Sequence, residues 1–256
     1  VPFPALLARV RPFAIRILLV VVRPLLLLHF VVYSHTVQHS AFPRDLAERS
    51  HPGADPVRLL FVGDVAVAGY GVLREGMALP AQTALHVSQA NRRGVDWENV
   101  GGFDFSARTA VRAVRGHASG VDVAVVALGI PDVLLVTSSR VWRRNLRRLI
   151  DVIRTESDPG TRILLAGPPP MHRFQPLPTV AGRAITAQLR RLDRVMEELA
   201  AEIDGVSFAA FPDLRLDSMF MKDAFSFRAM HRIWAQELAL HVERAARLRE
   251  GHELAA

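Results

Sequence analysis

The stretch from Arg58 to Gly71, RLLFVGDVAVAGYG, limits what this chain can become more than any other. Leu59 to Val62 is a short apolar run of strand formers that stops at Gly63-Asp64, and small residues follow to the turn Gly69-Tyr70-Gly71. A buried strand ending in a Gly-Asp turn that opens toward a helix is how an open α/β sheet begins. Ligands on such sheets gather outside the carboxyl ends of the strands. Gly63, Asp64 and Val65 are therefore expected at the rim of any site.

The rest of the chain alternates in the manner such a sheet requires. Val95–Val100, Val121–Leu128, Arg162–Ala166 and Val206–Ala209 read as further strands, and Val121–Leu128 is the continuous aliphatic run expected of a strand covered on both faces. Between and after them, Ala78–Asn91, Phe105–Val114, Ser139–Glu156, Ala181–Ile203 and Phe227–Arg249 read as helices. Strands alternating with helices predict a three-layer α/β/α sandwich on a mainly parallel, five-stranded sheet of the flavodoxin-like kind. We place this domain at residues 57–256. His39–Pro56, polar and carrying prolines and a glycine, reads as a linker over residues 39–56.

Residues 1–38 differ in kind. Ile17–Val22 and Leu25–Val32 are almost wholly aliphatic or aromatic, but Arg23-Pro24 separates them and His29 interrupts the second. An arginine near the middle of a spanning helix costs roughly 2.5–3.5 kcal/mol on insertion scales. Arg9, Arg16 and Arg23 recur every seven residues and would form one polar stripe on a helix, which Pro12 and Pro24 would interrupt or kink. The pattern suits a segment lying in a membrane interface. A short signal-anchor beginning after Arg23, or a hydrophobic arm packed on the domain, are the other readings. The expected location is a membrane surface, on a side the sequence does not specify.

Composition enters through charge and cysteine. The chain has no cysteine, so disulfides, thiol nucleophiles and thiolate metal sites are excluded. Its formal charge of +7 comes almost entirely from arginine, Lys222 being the single lysine. A codon bias in a bacterial GC-rich genome accounts for that preference, and a basic face toward anionic lipid is the alternative. No aromatic-interleaved basic motif, zinc knuckle or helix-turn-helix accompanies the charge, which argues against nucleic acid.

Five stretches together resemble one family. GDVAVAGYG (Gly63–Gly71), VDWENVGGFDFSAR (Val95–Arg108), VDVAVVALGIPDVL (Val121–Leu134) and DAFSFRAMHRIW (Asp223–Trp234) resemble blocks I, II, III and V of the SGNH (GDSL-type) hydrolases, and GPPPMHRFQPLP (Gly167–Pro178) is similar to the proline-rich loop after the fourth strand in many bacterial members. Pro24–Phe30 is reminiscent of the apolar leader some members carry. The resemblance implies an esterase-like α/β/α fold and an acyl or glycan ligand at the strand ends. It also implies a site in which a serine attacks, two backbone N–H groups and an asparagine hold the oxyanion, and an aspartate orients a histidine base.

Taken position by position, those groups are missing. Val65 stands where the resemblance places the nucleophile, Asp104 where it places the oxyanion glycine, Pro131 where it places the asparagine, and Ser226 where it places the histidine. Asp223 alone is retained. The expected site is therefore a degenerate cleft framed by Gly63, Asp64, Val65, Asp104, Gly129, Pro131, Asp132, His172, Asp223 and Ser226, holding a ligand or a protein partner without hydrolysing it. The competing reading is an active esterase or acyl-transfer enzyme with a rearranged site, such as Ser106 with His172 or His231, Arg173 lying on the same rim. Against it, Ser106 reads as a helix cap and both histidines as surface polar groups. Asp64, Asp132 and Asp223 sit at strand and loop ends, where turn geometry accounts for them. No metal motif and no cofactor motif is present.

Overall fold

The structure, a computed structural model, describes residues 24, 27–28, 30–45, 49–170, 179–212, 220–221 and 224–253. Its sheet has six strands in the order β1-β3-β2-β4-β5-β6, with β1 Ser50–His51, β2 Val57–Gly63, β3 Val95–Gly101, β4 Val123–Ala127, β5 Arg162–Ala166 and β6 Val206–Ala209. Every pairing from β3 across to β6 is parallel. The sixth strand corrects the five-strand expectation: β1 pairs antiparallel to β3 at the edge, and the Ser50 hydroxyl donates to Asp96 at 2.7 Å. Two residues offer no periodicity to read, so composition alone assigned them to a linker. That stretch is bound to the domain elsewhere too. The Gly71 N–H donates to the Ala41 carbonyl at 2.9 Å, and the Glu75 N–H to Asp45 at 2.8 Å.

Seven helices flank the sheet among the described residues: α1 over residues 30–38, α2 Leu79–Asn91, α3 Ala107–Ala113, α4 Ile130–Leu134, α5 Ser139–Glu156, α6 Thr179–Glu202 and α7 Phe227–Glu253. A two-stranded hairpin, β7 Phe220–Met221 and β8 Ala224–Phe225, precedes α7. One core lies between the sheet and α1, α3, α4, α5 and α6, and contains Val37, Val65, Ala110, Leu146, Leu192 and Val126. The other lies under α2 and α7, around Phe61, Leu79, Val87 and Trp234. All five residues of β4 are buried, as its unbroken aliphatic sequence requires.

Local chemistry fixes the helix boundaries. Ser138 caps α5 by accepting the Val141 N–H at 3.4 Å, and Trp142, Leu146, Leu149, Ile150 and Ile153 form its buried stripe. The indole N–H of Trp142 reaches the Leu192 carbonyl at 3.3 Å and joins α5 to α6. Ser106 and Thr109 form a reciprocal cap that starts α3 two residues later than sequence periodicity suggests. The segment GIPDVL, in which Asp132 reads from sequence as a turn residue, forms the short helix α4, with Pro131 in its first turn, where its missing N–H costs nothing. Among the described residues, no helix is long and apolar enough to cross a membrane.

Candidate functional site

The candidate site lies at the carboxyl ends of β2, β3 and β4, and the ends of these strands approach one another closely. A Cβ on Gly63 would lie 2.5 Å from the Ala127 carbonyl oxygen and 2.3 Å from Val67, so no larger residue fits where β2 ends. Gly129, after β4, has φ +147°, and a Cβ there would lie 2.8 Å from Pro168. This geometry excludes side chains from both corners of the rim.

Asp64 turns inward from the rim. One oxygen, Oδ2, accepts the N–H groups of Gly129 at 3.0 Å and Ile130 at 2.9 Å, tying the loop after β2 to the loop after β4. Burial pushes its carboxyl up to about 7, against the opposing pull of the backbone N–H groups; the charge of Asp132 adds to the rise. Asp132 is also buried. It accepts the Ala107 N–H at 2.9 Å, at the start of α3, and the Thr137 hydroxyl at 2.8 Å. Burial raises its pKa, while these two bonds oppose the rise. Both carboxyls, candidates for the cleft by sequence, thus hold backbone together.

Val65 follows Asp64 and is 4% exposed, packed in the same core as Val37. Its carbonyl accepts the Tyr70 N–H at 2.9 Å, closing the loop. Pro131 is buried in α4, and Asp104 is exposed in the turn before Ser106. Ser226 caps α7, its hydroxyl accepting the Ala229 N–H at 3.3 Å. Ser226→Ala should therefore cost about 1 kcal/mol in chemical denaturation, as loss of a cap does; an unchanged midpoint would remove the capping role. His172, Arg173 and Asp223 lie outside the described residues.

Of the two relocated pairs, Ser106 with His231 finds no support in this geometry, and the pair with His172 falls outside the described residues. The Ser106 hydroxyl accepts the Thr109 N–H at 3.3 Å and serves the cap. His231 is not a surface group, as sequence suggested, but wholly buried. Its Nε2–H donates to the Tyr70 carbonyl at 2.9 Å, and burial lowers its pKa to about 4 although that bond pulls upward. A histidine five residues from a helix start reads as polar, and only the packing of α7 against the Tyr70 turn shows otherwise. Among the described residues no cluster of three histidine or acidic side chains could hold a metal ion.

The rim is covered by the end of the N-terminal segment, for which a hydrophobic arm packed on the domain was one of the readings open from sequence. Phe30, Tyr33 and Val37 of α1 pack onto the core that contains Val65. The hydroxyl of Tyr33 is buried without a hydrogen-bond partner among the described residues, and its pKa is raised by burial first, then by the charge of Asp64 and by Tyr70. The chain continues over the rim through Phe42, whose ring meets Tyr70 edge-on at 5.9 Å, and Tyr70 meets Phe227 at 4.8 Å. The spacing of Phe30, Tyr33 and Val37 on one helical face was a readable signal. A cavity of ≈ 630 Å³, lined by Arg58, Asp122, Asp158 and Arg249, opens instead at the amino ends of the strands.

A profile of the GDSL-like lipase/acylhydrolase family matches residues 61–242. Among solved structures, a family two carbohydrate esterase from Clostridium thermocellum in complex with cellohexaose is 16% identical, with a TM-score of 0.54 over 77% of this chain and 66% of that one. The lipase Lip_vut3 from a goat rumen metagenome is 13% identical, with a TM-score of 0.55 over 75% of this chain and 99% of its own. A lipase/acylhydrolase from Enterococcus faecalis is 15% identical, with a TM-score of 0.53 and coverage of 73% and 96%. At such identities the likeness is one of fold. No curated protein sequence matches the chain.

Proposed function

The chain belongs to the GDSL-like lipase/acylhydrolase family, and we propose that it is a member without hydrolase activity, retained to bind a ligand or a partner. Val65 carries the proposal. An isopropyl group with no nucleophilic atom follows Gly63-Asp64, and it is buried in the core beneath α1. Asp104 offers a carboxylate where a developing oxyanion needs donors, and Pro131 has neither an amide side chain nor a backbone N–H. Losing one such donor costs about 10²–10³ in turnover, and losing the nucleophile or base removes nearly the whole covalent route.

The ligand class we assign to the rim is an acyl group or a glycan, with a protein partner as the other occupant. The cellohexaose held by the Clostridium thermocellum esterase of the same fold supports the glycan reading. The test is turnover of short-chain aryl esters by the native chain beside a Val65→Ser/Ser226→His variant. Both should stay at the blank rate, because the double variant still lacks the donors at Asp104 and Pro131. Native turnover that is lost on changing Ser106 would instead establish a rearranged esterase.

A further inference from the structure

The helix that packs Phe30, Tyr33 and Val37 inward carries a second apolar face. Leu27, Leu28, Val31 and Val32 are 36%, 61%, 63% and 53% exposed. They recur at the spacing that puts i, i+4 and i+5 on one side of a helix. Four of the seven exposed large hydrophobics among the described residues are thus gathered on this one short stretch. Such a concentration marks an interaction surface rather than ordinary scatter.

Charge identifies what covers it. α3 and α5 pack on the same side of the sheet as α1, sharing its core. Exposed there are Arg108 and Arg112 of α3, Arg115 in the turn that follows it, and Arg140, Arg144 and Arg148 of α5. None of these six makes an ion pair among the described residues, whereas Arg143 and Arg147, one position away on α5, are held by Glu198 and Glu202 of α6. Arg140, Arg144 and Arg148 follow one another at i+4, a continuous basic row. The chain that leads into α1 keeps the same character. Residues 1–44 contain five arginines and no acidic residue.

We propose that the layer formed by α1, α3 and α5 docks on an anionic lipid bilayer. Leu27, Leu28, Val31 and Val32 would enter the acyl boundary, and the free arginines would meet lipid phosphates. An apolar helix face on the same side of the sheet as cations without an ion pair is the arrangement of interfacial binding. Nucleic acid would use the arginines but leave the leucine and valine face in water, and a second copy of this chain would place like charges together.

The test is co-sedimentation of the full chain with vesicles of phosphatidylcholine, with and without phosphatidylserine. Binding should require phosphatidylserine and weaken in about 1 M salt, where screening shortens to about 3 Å. Arg140→Gln/Arg144→Gln/Arg148→Gln should lower the partition coefficient roughly 100-fold, near five-fold per arginine. Val31→Asp/Val32→Asp should abolish the remainder, and both sets change exposed positions, so circular dichroism should be unaltered. Equal binding to neutral and anionic vesicles, or binding untouched by both variants, would overturn the proposal. So would absence of binding, or self-association through this face without lipid.

Discussion

At about pH 5, Asp64→Ala should lose about 2–6 kcal/mol of unfolding free energy, while Asp64→Asn should lose no more than about 1, because each buried N–H left without an acceptor costs about 1–3 kcal/mol. The two donors are Gly129 and Ile130, and a single oxygen of Asp64 serves both. The carbonyl oxygen of asparagine can take the same place; the alanine methyl cannot. Against a typical total of 5–15 kcal/mol the alanine loss is large. It also bears on the site, since these bonds couple the loop carrying Val65 to the start of α4, which carries Pro131. Urea denaturation of the two variants side by side checks it, and equal losses for alanine and asparagine would show that the carboxyl is not the clamp.

The second large effect concerns Asp193, on α6 beneath the end of β5. Burial, reinforced by the charge of Glu197, pushes its carboxyl up to about 7, and its buried Oδ1 has no hydrogen-bond partner among the described residues. A carboxyl whose folded pKa lies above its unfolded value binds its proton more tightly in the folded state. The stability it confers is therefore complete below the unfolded pKa, near 4, and is lost as pH rises through the folded pKa, near 7. Asp193→Asn should match the native chain at about pH 4 and exceed it by about 2–4 kcal/mol at about pH 8. Asp64 follows the same sign over the same window. His231, lowered from its ordinary value to about 4, runs the other way, removing stability as pH falls from about 6.5 toward 4. Thermal denaturation across this range separates the contributions, and parallel curves for native and Asp193→Asn would mean that this carboxyl ionises normally.

Much of the fold was legible because its elements bury continuous apolar patterns. Ser139–Glu156, Arg162–Ala166 and Val206–Ala209 have the bounds their sequence predicts. Strand β1, helix α4 and the hold of residues 41–45 on the domain were not legible, since single backbone and side-chain hydrogen bonds make them, and these leave no period in the sequence. The rim was half legible. Gly63, Gly129 and Val65 stand at strand ends where motif position put them, yet the inward turn of Asp64 and Asp132 depends on which backbone N–H groups face them. The burial of His231 and the cover given by Tyr33 depend on helices far apart in sequence, a relation that no single stretch encodes. The same holds for α1, whose apolar residues read as membrane-seeking throughout although one face packs on the domain core.

If the chain is a member without hydrolase activity, no serine in it is an activated nucleophile. Intact-mass analysis after treatment with a fluorophosphonate tests it most directly, because the reagent records a nucleophile whatever the substrate. The mass of the native chain should be unchanged. A single adduct, located by peptide mapping to Ser106 or to any other serine, would show a working site and contradict it.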